Sequence, residues 1–310
     1  MLYILYKYLP MEKLTPRVDI VFKKLFGVEE NKDLLISLIN SIVNEEDQVA
    51  DITLLNPYNH RNFRQDKLSI LDIKAESCTG KRFNIEIQIT DAKDYDKRAL
   101  YYWAKLYTEQ LEISRSYDIL SKAIGIHILN FTSIPKSDKY HNIFHIKETD
   151  NNIHYFKDLE LHTIELKKFI SDKDSKLSDI VSKVSSGLDR WVTFLSRHDL
   201  LNKEHLPSAL NDSSIKKALD VLDVMNFNSE EKEVYEDHLK WIRTEALAVK
   251  TAEEKGEKIG LEKGKKEERY TTALKMLGLG INIDTISIVT TFSRKEIISI
   301  MEENNLSILD

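Results

Sequence analysis

Two neighbouring segments of the sequence place carboxylates where a pair of β-strands could bring them together around a metal ion. Side chains alternate between the two faces of a strand, so residues 67–76 present Asp72 on one face and mainly apolar residues on the other. In residues 83–89, Glu86 and Gln88 share a face, and four large apolar residues occupy the opposite face. Each predicted strand therefore buries an apolar face and carries on the other a carboxylate of the kind that binds Mg²⁺.

The connection between the two strands decides whether these carboxylates meet. A two-residue turn at Thr79-Gly80 would place an isoleucine opposite Asp72. A three-residue loop, Cys78-Thr79-Gly80, ends with glycine where such hairpins need a left-handed residue, and it pairs Asp72 with Glu86. Directly opposed residues have Cβ atoms about 4.5–5.5 Å apart, so the two carboxylates would repel each other unless a cation lay between them. On this pattern alone, a solvated polar hairpin face is the alternative.

Helices and further strands flank the hairpin. Thr15-Pro16 is typical of a helix start and Gly27 of its end, and a second amphipathic helix is predicted over residues 31–43. A third amphipathic helix is predicted over residues 95–113, and the apolar run at residues 123–131 indicates a strand buried on both faces. Further strands are predicted at residues 142–148 and 159–166. This order of elements indicates an α/β core.

The C-terminal half of the chain is predicted to be an all-α extension. Apolar spacing predicts several helices, the longest beginning near residue 230. Within it, Gly256, Gly260 and Gly264 recur along one face of a highly charged stretch, which predicts either a solvated connector or a close helix–helix contact. The last part outlines a helix-turn-helix, and both DNA binding and dimerisation stay open for residues 271–310.

Composition limits the class of protein. Of the 310 residues, 42% are hydrophobic, which is enough to form a buried core, and 31% are charged, which suggests much solvent-exposed helix surface. Its net charge of -6 argues against a non-specific polycationic nucleic-acid binder but allows a local basic groove. The single cysteine, Cys78, excludes an intrachain disulfide and permits a reducing compartment.

The sequence predicts a protein without a membrane span, because no apolar run approaches the roughly 20 residues that a membrane helix needs. A cytoplasmic location is expected. The first ten residues are apolar and aromatic but lack the basic cluster and cleavage site of a signal peptide. Residues 1–11 are therefore expected to be a disordered tail; the alternative is that residues 1–10 lie upstream of a true start at Met11.

The joint order of these motifs resembles the Rpn family of recombination-promoting nucleases, within the PD-(D/E)xK nuclease superfamily. The residues that carry the resemblance are 17–27 (RVDIVFKKLFG), 67–75 (KLSILDIKA), 83–88 (FNIEIQ), Arg98 with Tyr101 and Tyr102, and 164–169 (IELKKF). It implies a restriction-endonuclease-like α/β core over residues 12–170, with a mixed central sheet flanked by helices. A helical extension over residues 171–250 and a charged helix with a small helical C-terminal unit over residues 251–310 would follow.

Carried over position by position, the resemblance implies Asp72 and Glu86 as ligands of Mg²⁺, or of Mn²⁺ in its place. Gln88 stands where most of the superfamily has a lysine that positions or activates the attacking water, so it would act by hydrogen bonding. Lys74 would either supply the missing charge or be an exposed lysine. Asp19 matches an acidic position on the first helix, where it would bind a second metal or orient a water, or else be an ordinary exposed side chain.

The resemblance also implies a function and a partner. It implies an Mg²⁺-dependent DNA endonuclease that hydrolyses phosphodiester bonds in recombination or in mobile elements, without a nucleotide cofactor. Lys74, Arg98 and Tyr102 are predicted to contact DNA; the alternatives are a surface ion pair for Arg98 and core packing for the aromatic side chains. Double-strand cleavage would need two sites, which indicates a homodimer. The alternative function is a catalytically degenerate nucleic-acid-binding or oligomerising protein on the same fold.

Overall fold

The computed structural model describes residues 14–58, 72–90, 94–111, 116–170, 176–304 and residue 306. The chain forms two compact units, residues 1–239 and residues 240–310. Residues 67–71, the first half of one predicted hairpin strand, lie outside the described residues.

The first unit is built on a six-stranded mixed sheet. Its strands are β1 (Ile52–Leu54), β2 (Asp72–Ser77), β3 (Arg82–Gln88), β4 (Ala123–Leu129), β5 (His141–Phe144) and β6 (Leu159–Glu165). They lie in the order β1-β2-β3-β4-β6-β5, in which β3, β4 and β6 are parallel and the other pairs are antiparallel. The mixed sheet is as predicted, but the strand expected at residues 142–148 is shorter. Beyond Phe144 only an isolated bridge between Lys147 and His154 continues the pairing.

Helices account for most of the remaining described structure. In the first unit they are α1 (Asp19–Phe26), α2 (Lys32–Ile42), α3 (Tyr95–Thr108), α4 (Leu166–Phe169), α5 (Leu177–Val181), α6 (Gly187–Arg197) and α7 (Ser213–Val224). They are followed by α8 (Ser229–Gly278), α9 (Ile283–Thr290) and α10 (Arg294–Glu303). Short 3-10 helices lie at Glu29–Asn31, Glu45–Asp47, Tyr117–Ile119, His198–Leu200, Lys203–His205 and Ser208–Leu210. The helix predicted over residues 95–113 therefore ends earlier than expected, at Thr108.

The sheet is covered on both faces, which explains why β4 is buried along its whole length, as its apolar run predicted. On one face the end of α1 lies against β2, where a methyl group at Gly27 would be 3.4 Å from Cγ1 of Ile73. On the other face α3 contacts the row of side chains that contains Glu86 and His127. The polar face predicted for β3 is therefore buried, and the solvated-hairpin alternative is wrong for this strand.

Helices α6 and α7 extend the core of the first unit. A capping box between Ser186 and Asp189 begins α6, and Asp212 caps α7. Trp191 of α6 packs edge-on against Phe26 of α1, with 5.3 Å between the ring centroids. These contacts fix the position of α1, which carries Asp19.

The second unit has a small core of its own. Its buried residues are Ala273, Ile286, Phe292, Ile297 and Ile300. Ser293 caps α10 in a capping box with Glu296.

The glycine stripe of α8 makes no close helix contact in the described part of the chain. A methyl group at Gly256, Gly260 or Gly264 would meet no atom within 4 Å. The surrounding stretch from residue 254 to residue 268 is exposed. Both observations favour the solvated-connector interpretation. Nowhere in the described ranges does a helix combine the length and the apolar character that a bilayer crossing needs.

Candidate active site

The hairpin of β2 and β3 has the predicted register, with Asp72 directly opposite Glu86. Ser77 donates its N–H to the carbonyl of Lys81 at 2.9 Å, which closes a three-residue loop. Gly80 ends that loop with φ of 82°, the left-handed conformation that the sequence analysis required. Two carboxylates are thereby fixed on neighbouring strands by backbone geometry alone.

Glu86 is the most enclosed of the candidate ligands, with 5% of its surface exposed. Its Oε1 accepts a hydrogen bond from Nη2 of Arg98 at 2.8 Å. Its Oε2 is buried and accepts no hydrogen bond from the described residues; His127 Nδ1, on the paired position of β4, lies 3.8 Å away. Burial raises the pKa of Glu86, although attraction to Arg98 opposes the shift. One carboxylate oxygen is therefore left for a further partner.

His127 cannot be that partner as a cation. It is buried, and burial followed by repulsion from Arg98 lowers its pKa to about 4. Its Nδ1 lies 2.7 Å from the hydroxyl of Tyr95, whose pKa is raised well above its usual value by burial. A neutral imidazole and a protonated hydroxyl can share this hydrogen bond, so His127 brings no positive charge to Glu86. His127 is the only strongly polar side chain of β4, and sequence reasoning did not single it out.

Asp72 and Asp19, like Glu86, have raised pKa values. Burial raises the pKa of Asp72 despite attraction to Lys23. Burial and then repulsion from Glu86 raise the pKa of Asp19 to about 7. Asp19 Oδ2 lies 3.9 Å from Nδ1 of His238, whose own pKa is lowered by burial. Asp19 is thus part of the same electrostatic group, and it is not the exposed helix side chain that was the alternative.

Lys23 is a site residue that sequence reasoning missed. It is 3% exposed and donates from Nζ to the backbone oxygen of Asp72 at 2.5 Å. Burial lowers its pKa to about 8. Asp19 and Lys23 are four residues apart on one helix, so they share a face, and this spacing could have pointed to Lys23.

Lys74 and Gln88 are oriented by contacts with α3. Lys74 pairs with Asn84 in the predicted register, but its Nζ donates to Oε2 of Glu109 at 3.1 Å. Its ammonium group is therefore bound by a surface carboxylate directly after the C-terminal end of α3. The Oε1 of Gln88 accepts a hydrogen bond from Nη2 of Arg98. The ion-pair alternative for Arg98 is the one found, although its partner is a buried site residue.

The aromatic residues of α3 divide between packing and exposure. Tyr95 is buried, and Trp103 donates its indole N–H to the carbonyl of Ala123 at 2.8 Å. Tyr101 is exposed and packs edge-on against the half-buried Tyr102, with 5.6 Å between the ring centroids. Tyr102 therefore has part of its ring available at the surface.

The residues present fit a hard divalent cation held by few protein ligands. No group of three or more His, Cys, Asp or Glu side chains in the described ranges is arranged to hold a metal ion. Asp72 and Glu86 nevertheless face each other, and Oε2 of Glu86 is free of hydrogen bonds from described residues. Mg²⁺ commonly takes one or two carboxylates, with waters and substrate phosphates as its other ligands. This donor set suits Mg²⁺ or Mn²⁺ better than zinc.

A comparison with protein families places the chain. The model of the family described as PD-(D/E)XK nuclease family transposase matches residues 16–252. The match takes in Asp19, Asp72, Glu86, Gln88 and Arg98. No curated protein and no solved structure matched the chain. Because the family match covers well over half of the sequence, this chain belongs to the PD-(D/E)XK nuclease family transposases.

Proposed function

We propose that the chain is a Mg²⁺-dependent DNA endonuclease in which Mn²⁺ can replace Mg²⁺. The observation that supports a metal most directly is the pairing of the half-buried Asp72 with the buried Glu86, both with raised pKa values. A divalent cation between two such carboxylates would relieve both their repulsion and the penalty of burying charge. The family match supports nuclease chemistry at this site.

The residues of the site would divide the work of phosphodiester hydrolysis. Asp72 and Glu86 would hold the cation, which when bound polarises a phosphoryl oxygen and lowers the pKa of a bound water. Gln88 would orient the water or the phosphate by hydrogen bonding. Asp19, with its pKa near 7, is suited to accept a proton from the water at neutral pH. The water oxygen would bond to phosphorus as the bond to the 3′ oxygen breaks, and solvent would protonate the departing oxygen.

We also propose the partners and setting of this activity. Lys74 and Tyr102 are candidate contacts to DNA, since both keep part of their surface exposed near the site. Arg98 stays a candidate as well, because its Nη2 is bound by Glu86 and Gln88 but 36% of its side chain is exposed. A homodimer would provide the two sites that double-strand cleavage needs. The proposed setting is DNA recombination or mobile-element transfer in the cytoplasm.

Cleavage of supercoiled plasmid tests the proposal. We expect the wild type to nick or linearise plasmid with Mg²⁺ or Mn²⁺ and to stop with EDTA. Asp72→Asn and Glu86→Gln, which keep side-chain shape, should both be inactive. The matched control is Glu76→Gln, because Glu76 lies on the same face of β2 but pairs with Arg82 at 3.1 Å. Equal cleavage by the wild type and both site variants would refute the site.

The alternative, a catalytically degenerate binding or oligomerising protein, is favoured by one feature. Gln88 cannot supply the positive charge of the superfamily's lysine. Thermal shift with Mn²⁺ separates the two functions: the nuclease should be stabilised by Mn²⁺ in the wild type and not in Asp72→Asn. A degenerate module should show no Mn²⁺-induced shift in either protein.

A further inference from the structure

Arg98 connects the two side chains of β3 that the proposed reaction needs. Its Nη2 donates to Oε1 of Glu86 at 2.8 Å and also to Oε1 of Gln88. The guanidinium carbon lies 5.2 Å from the centroid of the Tyr95 ring, one turn earlier on α3. The aromatic face and the two oxygen acceptors together fix the guanidinium in one place.

This placement decides which atoms of Gln88 and Glu86 are left for other partners. A guanidinium has only donors, so the carboxamide of Gln88 must turn its oxygen toward Arg98. The two N–H donors of Gln88 Nε2 are then directed away from Arg98. By the same logic Oε1 of Glu86 is occupied, and Oε2 is the atom without a hydrogen bond from the described residues.

We propose that Arg98 is a positioning residue for the metal ligand and for the water-orienting amide at once. Its guanidinium reserves Oε2 of Glu86 for a divalent cation and the Nε2 donors of Gln88 for the scissile phosphate or the attacking water. The strand lysine of other superfamily members is thus replaced by an oriented glutamine and an arginine from the next helix. This inference rests on the proposed endonuclease function.

Arg98 also places a positive charge beside the proposed metal site. The proposal therefore predicts that removing Arg98 has opposite effects on metal binding and on cleavage. Removing that charge should strengthen Mn²⁺ binding, because a positive charge beside the ligands of a divalent cation repels that cation. Removing the guanidinium should at the same time weaken cleavage, because misplacing reacting groups by about 1 Å can lower the rate about 100-fold. A loss of folding would lower both quantities together.

The first experiment measures Mn²⁺ binding without DNA, from the electron paramagnetic resonance signal of free Mn²⁺, and plasmid cleavage at saturating Mn²⁺. Arg98→Met should bind Mn²⁺ about tenfold more tightly than the wild type and cleave about 100-fold more slowly. Arg98→Lys should keep wild-type Mn²⁺ affinity and still cleave slowly, because an ammonium is a point charge without the planar fork. The control is Lys97→Met, whose lysine points to solvent and pairs with Asp94 at 2.8 Å; it should change neither quantity.

Chemical rescue provides the second experiment. Guanidinium or methylguanidinium at millimolar concentration should restore part of the cleavage by Arg98→Ala and should not stimulate the wild type or Gln88→Ala. The proposal is overturned if Arg98→Met cleaves as fast as an active wild type, if it loses Mn²⁺ binding and cleavage in parallel, or if guanidinium restores nothing. An inactive wild type would refute the endonuclease function itself, so the two failures are distinguishable.

Discussion

Two buried glutamates, on opposite faces of the same sheet, show how differently this chain treats acidic side chains. Glu160 of β6 accepts hydrogen bonds from Nζ of Lys122 at 2.8 Å and from Nε2 of His162 at 2.7 Å. Burial alone would raise its pKa, but these partners outweigh burial and lower the pKa to about 2. Among the described residues, Glu86 of β3 has only Arg98 as a charged donor, and its pKa is raised.

The network around Glu160 includes a second buried carboxylate, and both carboxylates have positively charged partners. Lys122 also donates to Oδ2 of Asp47 at 2.5 Å, and Lys81 donates to Oδ1 of the same carboxylate at 2.8 Å. The imidazole of His162 also stacks on that of His141, and Nδ1 of His162 lies 2.9 Å from Nε2 of His141. Each buried acid of this network therefore has a lysine partner.

The contrast indicates which acidic group has a structural role and which is prepared for a ligand. A buried carboxylate that only stabilises the fold needs compensating charge within the protein. Among the described residues, Arg98 and Lys23 offset the charge of Asp19, Asp72 and Glu86 only in part, and all three pKa values are raised. Perturbed pKa values of this kind cluster at functional sites, which supports the proposal that this acidic group, and not the one around Glu160, binds the metal.

The largest expected effect is the loss of cleavage in Glu86→Gln. Because metal-site partners that act from outside the ligand sphere already change activity 10–100-fold, loss of a ligand should lower cleavage by more than about 100-fold. The unfolding free energy should not fall, since an undercompensated buried charge is removed. Plasmid cleavage and urea unfolding of the same preparation would check both. A variant that loses stability but keeps its specific activity would contradict the account.

The corresponding variant in the network around Glu160 is Glu160→Gln. Removing one partner of a buried ion pair typically destabilises a protein by 3–5 kcal/mol, and we expect about 3 kcal/mol here because Lys122 keeps Asp47. Urea unfolding measures the loss. Cleavage by the folded fraction should stay at the wild-type level at temperatures below the transition. Unchanged stability would show that the network on this face is dispensable.

Lys23→Met should have an intermediate effect. It removes the buried ammonium that holds the backbone at Asp72, and a positioning change of this type typically lowers metal affinity or activity 10–100-fold. We expect a decrease near the lower end, about tenfold, because Glu86 is untouched. Mn²⁺ titration monitored by cleavage rate would measure it. An unaltered Mn²⁺ dependence would remove Lys23 from the site.

Asp19 and Glu160 should contribute to the pH dependence of stability with opposite signs. The folded-state pKa of Asp19 is about 7 against an ordinary 3.8, so the folded protein binds this proton more tightly between those values. The metal-free fold should therefore lose stability as the pH rises from about 4 to about 7, by up to about 1.4 kcal/mol per pH unit. The folded pKa of Glu160 is about 2 against 4.5, so its contribution is fully present above 4.5 and is lost as the pH falls toward 2.

Urea unfolding in EDTA across this range, for the wild type and Asp19→Asn, measures the first of these slopes. The fall in unfolding free energy between pH 4 and pH 7 should be shallower in Asp19→Asn, because the contribution of about one bound proton to the slope is removed. Equal slopes in the two proteins would contradict the raised pKa of Asp19.

The smallest expected effect concerns the loop that sets the register. Gly80→Ala places a methyl group on a left-handed residue and 2.8 Å from Oγ of Ser121, which should destabilise the fold by about 1–2 kcal/mol. Gly256→Ala is the matched control, because its methyl group would meet no atom within 4 Å in the described structure. Thermal unfolding compares the two. A Gly80→Ala variant as stable as the wild type would show that the loop does not depend on this conformation.

Sequence reasoning predicted the parts of the site that depend on local periodicity. Strand alternation and the position of Gly80 were enough to pair Asp72 with Glu86, and hydrophobic spacing was enough for most of the strands and flanking helices. The mixed sheet was implied by the family resemblance. The contacts of long side chains could not be predicted in this way. Lys74 lies on the expected face but pairs with Glu109, which is 35 residues away in sequence.

Burial was the other limit of the sequence. No local pattern marks His162 as a buried residue, yet it is fully buried beside Glu160. Lys23 belongs to an ordinary amphipathic helix pattern, and its contact with Asp72 spans 49 residues. Such partners are chosen by how helices dock on the sheet, which no local pattern contains.

The most direct test of the account is anomalous diffraction from crystals soaked in Mn²⁺. The account predicts one anomalous peak between the carboxylates of Asp72 and Glu86, within coordination distance of Oε2 of Glu86, and none beside Glu160. Absence of density at the hairpin, or a peak in the Glu160 network instead, would contradict the claim that the undercompensated face of the sheet is the metal site.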